Sequence, residues 1–252
     1  MLADHPLFLD GEALVVDKPA GLPVDAPRDG GMSVQNHLMS LRFGFERVPA
    51  PVHRLDRDTS GCLLLARNPG TLKRFGQAFE RGEVEKTYWA VLDGVPDGEE
   101  GVVDLPLAKV STREAGWRMV PDGAGKAART AWRMLDARDG RALVEFRPET
   151  GRTHQLRVHA ASGLGAAIVG DAVYGRGGGP MLLHARALRL ERAGKRAVEA
   201  EAPLPKHWLD AGWSEPASSF VSSENEGAVA RPGPRPSPSA RLRTGFSLGT
   251  NE

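Results

Sequence analysis

His53-Arg54-Leu55-Asp56-Arg57-Asp58-Thr59-Ser60-Gly61 runs directly into the apolar Cys62-Leu63-Leu64-Leu65-Ala66, and no other part of the 252-residue chain gathers so many chemically able groups. The apolar run has the length and bounds of a buried strand. Polar residues just before such a strand lie at a sheet edge or cleft mouth, where a rigid element aims side chains at a ligand. Two carboxylates two residues apart each lie next to an arginine, and a nearby guanidinium favours the charged carboxylate, so Asp56 is expected to be ionised and able to act as nucleophile or base. Read as residues alone, the stretch is equally a charged turn held by its own ion pairs.

Upstream, Ala13 to Val16 reads as a strand ended by the turn Asp17-Lys18-Pro19-Ala20-Gly21, with Lys18 a solvated turn residue. Ser33 can cap a helix carrying Val34, Leu38, Leu41 and Phe45 at helical spacing. Downstream, Asn68-Pro69 starts a helix with Leu72, Phe75 and Phe79 on one face and Gly82 as its stop. Lys86 to Leu92 has the content of a strand, and its period of two sets Tyr88 on the face opposite Thr87 and Trp89. Residues 93–125, rich in glycine, proline and charge, read as an antiparallel excursion. Arg129 to Leu135 and Ala142 to Arg147 flank Asp139-Gly140, a hairpin signal because glycine accepts the positive φ of such turns.

That hairpin leads into Pro148-Glu149-Thr150-Gly151-Arg152-Thr153-His154-Gln155-Leu156-Arg157-Val158-His159. Thr153 can cap a short helix ending at Gly163, which sets His154 and Arg157 one turn apart on the same side. Five-residue spacing does not bring His154 and His159 together on a metal, and no third ligand is evident. Ile168 to Tyr174 and Met181 to Leu190 read as strands or strand ends.

Length and composition fit one globular domain plus a tail, assigned as residues 1–214 and 215–252. The tail is rich in Ser, Pro, Gly, Ala and Arg without apolar periodicity, and disorder is expected there. From Pro216 onward four arginines face three glutamates, which leaves 29 basic and 29 acidic residues in the remainder. A nucleic-acid binder of that balance must gather its positive charge on one face. No apolar stretch is long enough to span a bilayer and the N-terminus has no signal pattern, so a cytoplasmic protein without a membrane partner is expected. The single cysteine, Cys62, allows no intramolecular disulfide and reads as a core thiol.

Taken together, several segments resemble the RluA-type pseudouridine synthases of the RluA/RsuA superfamily, over nearly all of residues 8–210. They are Lys18-Pro19-Ala20-Gly21, His53 to Gly61, Lys86-Thr87-Tyr88, Gly125-Lys126-Ala127, Thr150 to His159 and Gly170-Asp171-Ala172-Val173-Tyr174-Gly175, all in family order. The resemblance implies an α+β fold: a single catalytic domain on a mixed, mainly antiparallel β-sheet with flanking helices. It implies isomerisation of specific uridines in structured RNA, ribosomal or transfer, with no cofactor, no metal and no obligate protein partner. Asp56 matches the catalytic aspartate and Arg157 the arginine paired with it. Tyr88 matches the tyrosine that stacks on the flipped base and is a candidate for proton transfer at C5. Arg54 matches the arginine that enters the RNA in place of the extruded base, and Leu156 the aliphatic lining. Arg152 and His154, in the same segment, are expected to bind substrate. Many relatives carry a small RNA-binding domain first, whereas here the catalytic pattern begins near Met1, so RNA choice is expected to come from the catalytic domain. Whether Asp56 attacks C1′ or takes the C2′ proton stays open.

Two other readings compete. Asp56-Arg57-Asp58-Thr59 fits the DxDxT of haloacid-dehalogenase-like phosphatases, but Ala50-Pro51-Val52-His53-Arg54 is not the apolar parallel strand that motif follows. A non-catalytic RNA-binding module would have no need for Asp56, Tyr88 and Arg157 together.

Overall fold

The computed structural model describes residues 2, 5–27, 30–112 and 116–216. The expected tail, including Arg231, Arg235, Arg241 and Arg243, lies outside the described residues beyond Pro216.

The apolar run becomes β4 (Ser60–Ala66), buried along its whole length. Burial on both faces explains why it is continuously apolar rather than alternating. It pairs antiparallel with β2 (Ala13–Lys18) and β3 (Ala50–Pro51), and parallel with β11 (Leu183–Arg192). From β11 the sheet continues through β5 (Val84–Leu92), β10 (Arg141–Pro148) and β9 (Arg129–Arg138) to β6 (Glu100–Asp104). On the other flank β1 (Phe8–Leu9) pairs with β2, and β12 (Lys195–Glu201) pairs with β11. The β11–β4 pair is the parallel one in a ten-stranded sheet, so the architecture is α+β with a mixed, mainly antiparallel sheet.

Alternate residues of β2 and β4 feed two cores. Ala13, Val15, Cys62 and Leu64 pack with Phe75 and Ala78 of α1 (Pro69–Glu80), while Leu14, Val16, Leu63 and Leu65 pack with Val34 and Leu41. Asn68 caps α1 by accepting the Thr71 amide, as its position before Pro69 predicts. Trp89 and Val91 meet Trp208 of α3 (Lys206–Asp210) on one face of β5, whereas Ala90 and Leu92 meet Phe146 and Leu156 on the other. Tyr88 lies on the second face, as period two required. The Asp139-Gly140 turn has φ of 52° and 71°, the left-handed pair such a hairpin demands.

Three expectations change. The helix expected from Ser33 is two 3-10 turns, Val34–His37 and Ser40–Arg42, because Phe43 turns left-handed at φ 47° and ends the run. Residues 168–174 form a turn rather than a strand, held by the Asp171 carboxylate accepting from the Val173 and Tyr174 amides. The excursion is antiparallel as read: it contributes β6 to the main sheet, while β7 (Leu107–Thr112) and β8 (Gly116–Pro121) form a separate two-stranded hairpin. Lys18 is fully buried rather than solvated.

Candidate active site

Asp56 sits on the crossing from β3 to β4, and main-chain bonds fix that crossing. Arg57 carbonyl accepts from the Gly21 amide at 2.9 Å, and the Thr59 amide donates to the Asp56 carbonyl at 3.2 Å. Leu55 is buried in the core and anchors the loop from beneath. Lys18 donates to three carbonyls, of Pro19, Leu22 and Arg57, at 2.9, 2.8 and 3.0 Å. Burial pushes its pKa down to about 8, against the opposing charges of Asp58, Asp56 and Asp17. Gly61 ends the loop where β4 meets β11: at φ 105° its missing Cβ would lie 2.3 Å from the Ala185 carbonyl oxygen. Only glycine allows that approach.

The carboxylate of Asp56 is held from the opposite wall. Arg157 Nη1 lies 3.3 Å from its Oδ2 and His154 Nε2 lies 3.8 Å from the same atom. Both come from the segment around α2 (Gln155–Val158) and its continuation as a π-turn over His159–Gly163. The sequence expected convergence of these two residues, and Asp56 is where they meet. Thr153 is not the cap of that segment. His154 occupies the cap position in the left-handed region at φ 54°, and the turn before it is closed by Gln155, which accepts from the Arg152 amide and from Thr150. The arginines adjacent in sequence do not hold Asp56: Arg57 grips Asp58 at 3.0 Å, and Arg54 pairs with Asp25 at 3.1 Å.

Arg157 is itself gripped by a fully buried carboxylate. Its Nε and Nη2 donate to Asp171 at 2.7 and 2.8 Å, a bidentate pair that fixes the guanidinium plane. Burial alone would raise the Asp171 pKa, but Arg157 and the Val173 and Tyr174 amides outweigh it and hold the carboxyl below its ordinary range. Burial works to lower the Arg157 pKa, and its two carboxylates outweigh that and raise it. Asp171, Tyr174 and Lys86 were not picked out as site residues from the sequence, although all three lie in segments that carried the resemblance.

Between these walls opens a cleft of about 720 Å³, mouth included, lined by Arg54, Asp56, Lys86, Tyr88, Leu156 and Arg157 among others. Arg152 and His154 also line it, so every expected site residue reaches one cavity. Arg54 stands at the mouth with its side chain 71% exposed. Arg152 is exposed at the rim, its Nε donating to the Ala127 carbonyl at 2.9 Å. Tyr88 lies in the cleft where β5 meets β10 and β11, beside a register shift in β11 between Ala185 and Ala187. Burial first, then Asp56 and Cys62, raise the Tyr88 pKa well above its ordinary value, so the phenol keeps its proton at neutral pH. Among the described residues no group of three His, Cys, Asp or Glu side chains could hold a metal ion. His159 instead packs in the interior, bonding Thr130 and the Leu105 carbonyl.

A deep cleft with one carboxylate, an arginine behind it, a protonated phenol and cationic residues at the rim belongs to an enzyme that works on a polyanionic substrate. The model of the RNA pseudouridylate synthase family matches residues 12–162. Over 217 residues the chain is 57% identical to an uncharacterised RNA pseudouridine synthase of Zymomonas mobilis, covering 84% of this chain and 99% of that one. It is 39% identical over 184 residues to ribosomal large subunit pseudouridine synthase D of the same organism, covering 69% of this chain and 57% of that one. The human RNA pseudouridylate synthase domain containing 1 superposes with a TM-score of 0.69 at 30% identity, covering 86% of this chain and 90% of that one. The fold is that of an RNA-modifying isomerase. The chain belongs to the RNA pseudouridylate synthase family, whose members convert uridine to pseudouridine in RNA. No helix among the described residues is long and apolar enough to cross a membrane.

Proposed function

We propose that the cleft receives a single uridine turned out of a structured RNA and that Asp56 drives the break of its N1–C1′ bond. The carrying observation is the isolated carboxylate at the cleft wall, held by Arg157 at 3.3 Å and faced across the cavity by Tyr88. An atom stacked inside a helix is out of reach, so the nucleotide has to be extruded and held between apolar and aromatic groups. Leu156 and Tyr88 supply these surfaces, and Arg54 at the mouth takes the space the base vacates. Arg152 and His154 line the same side as Leu156 and contact the extruded nucleotide.

After N1–C1′ breaks, the uracil turns and C5 bonds to C1′; the C5 proton leaves and N1 gains one, so the product is an isomer and needs no external atom or electron. Departing uracil carries negative charge, which the cations Arg157 and Lys86 lining the cleft stabilise. Tyr88, protonated, takes the C5 proton only while passing its own on toward N1, which gains one. Asp56 either attacks C1′ or takes the C2′ proton to give a glycal. Uridine deuterated at C2′ separates the two, since only the second route breaks that bond in the reaction.

Ribosomal or transfer RNA is the proposed substrate, and the ribosomal name of the relative at 39% identity supports the first. The catalytic domain is assigned to residues 1–214, with residues 215–252 as an appended tail, and the enzyme acts in the cytoplasm. Carbodiimide mapping of pseudouridine on total RNA, from cells with and without this gene, tests the reading. One site is expected to vanish on deletion and to return with wild type but not with Asp56→Ala. Return of the site with Asp56→Ala overturns the assignment.

A further inference from the structure

We propose that His154 is a positioning residue for Asp56, fixed with its ring proton on Nε2 by a chain of hydrogen bonds that starts on the β7–β8 hairpin. The inference rests on the reading of Asp56 as the reacting carboxylate. The Met119 amide donates to the Tyr174 hydroxyl at 2.9 Å, and that hydroxyl lies 2.9 Å from His154 Nδ1. With one lone pair taken by the amide, the hydroxyl has its own proton to give, and Nδ1 is the acceptor facing it. A neutral imidazole that accepts at Nδ1 carries its proton at Nε2. Nε2 is the nitrogen 3.8 Å from Asp56 Oδ2. Arg157 Nη1 approaches the same oxygen. Both nitrogens therefore approach Oδ2, and Oδ1 is left to meet the ribose.

The ring is held in that orientation on two further sides. Trp117 of β8 stacks on it with centroids 4.9 Å apart, and Tyr174 meets it edge-on at 5.6 Å. Lys109 of β7 lies over the Trp117 ring, 5.1 Å from its centroid. The backbone of His154 is itself in the left-handed region, which a residue other than glycine adopts when its surroundings impose it. At 3.8 Å the Nε2–Oδ2 contact is longer than a hydrogen bond, and closing it on substrate binding orients the carboxylate for reaction. The hairpin, which is separate from the main sheet, thereby reaches the reacting atom through three hydrogen-bonding groups.

The test uses full-length protein and two readouts. Bulk RNA labelled with [5-³H]uridine, from cells lacking this gene, reports turnover as tritium release with enzyme in excess. Tyr174→Phe and His154→Ala are expected to lower the maximal rate by on the order of 10- to 100-fold, with the half-saturating enzyme concentration changed by less than about twofold in Tyr174→Phe, whose side chain does not line the cleft. His154→Gln, which can present an N–H near the place of Nε2, is expected to recover most of the His154→Ala loss. Wild-type rates in both Tyr174→Phe and His154→Ala overturn the proposal, and so does a loss confined to half-saturation. Independently of activity, the ¹⁵N spectrum of histidine-labelled wild type, assigned by the signals missing in His154→Gln, is expected to show His154 protonated at Nε2 alone. Protonation at Nδ1, alone or with Nε2, overturns the proposal. Full turnover by Asp56→Ala would instead remove the reading of Asp56 and leave the tautomer result standing.

Discussion

Two regions hold Asp56, and they do so by opposite means. The loop from His53 to Gly61 fixes the path of the chain through main-chain bonds, the buried Leu55 and the three carbonyls gathered by Lys18. Its own charged side chains point away: Arg54 to Asp25 and Arg57 to Asp58, both largely exposed pairs that contribute little to stability. The segment from Arg152 to Gly175 works through side chains. Asp171 grips Arg157, Tyr174 bonds His154, and only the ends of Arg157 and His154 face the carboxylate. Backbone position and carboxylate orientation are thus set by separate parts of the chain, so each can be disturbed while the other persists.

The sharpest division comes from removing the carboxylate itself. Asp56→Ala leaves both supporting regions intact and is expected to lower tritium release by at least about 10³-fold, with RNA affinity mostly retained in a filter-binding titration. A parallel fall in affinity would mean that the carboxylate also organises the cleft. Disturbing the side-chain region is expected to cost stability as well. Asp171→Asn leaves the buried Arg157 without its main counter-charge, and urea unfolding should show a loss of about 3 kcal/mol. A loss under 1 kcal/mol would place the Arg157 charge in solvent contact that the geometry denies it.

Acid sensitivity should come from the sheet beneath as well as from the loop, where burial also pushes the His53 pKa down to about 4. His184 on β11 is fully buried, accepts from Ser60 at 2.8 Å and donates to the Ala202 carbonyl at 3.2 Å. Burial pushes its pKa down to about 4 from an ordinary 6.5. Between those values the unfolded chain binds the proton and the folded chain does not, so stability is complete above pH 6.5 and falls as pH drops toward 4, by on the order of 3 kcal/mol. Asp17, which burial pushes up to about 6, opposes this over pH 6 to 4. The measurement is therefore the difference in slope between wild type and His184→Gln, with a flatter acid limb expected in the variant. Equal slopes would exclude His184 as the source.

Arg54→Ala should have the smallest structural effect. Its exposed pair with Asp25 carries little energy, so the melting temperature should barely move while half-saturation by RNA rises several-fold. Unchanged RNA dependence would take Arg54 out of the substrate path and leave the loop's outward charges without a role.

The strands around the site were legible because their signals are local. β4 is continuously apolar and buried on both faces, Asp139-Gly140 supplies the left-handed turn between β9 and β10, and Asn68-Pro69 opens α1. The site residues were reached through segments resembling a family, and one cleft gathers all of them. What spacing misjudged were residues whose surroundings come from far along the chain. Lys18 reads as a solvated turn lysine, yet a carbonyl 39 residues away helps to bury it. Residues 168–174 look like a strand, yet Asp171 turns them so that its carboxylate can meet Arg157.

By itself, then, the sequence determined which elements form, because apolar periodicity, caps and turn residues act within a few positions of one another. It also determined which residue types could react. Only the tertiary structure decided why Asp56 is served by Arg157, the arginine that the family resemblance named, and not by its neighbours in sequence. The neighbours Arg54 and Arg57 are committed elsewhere, and Arg157, 101 residues away, is the one that arrives. Charge acts through space and not along the chain, so a carboxylate's partner is fixed by how the sheet brings distant segments together.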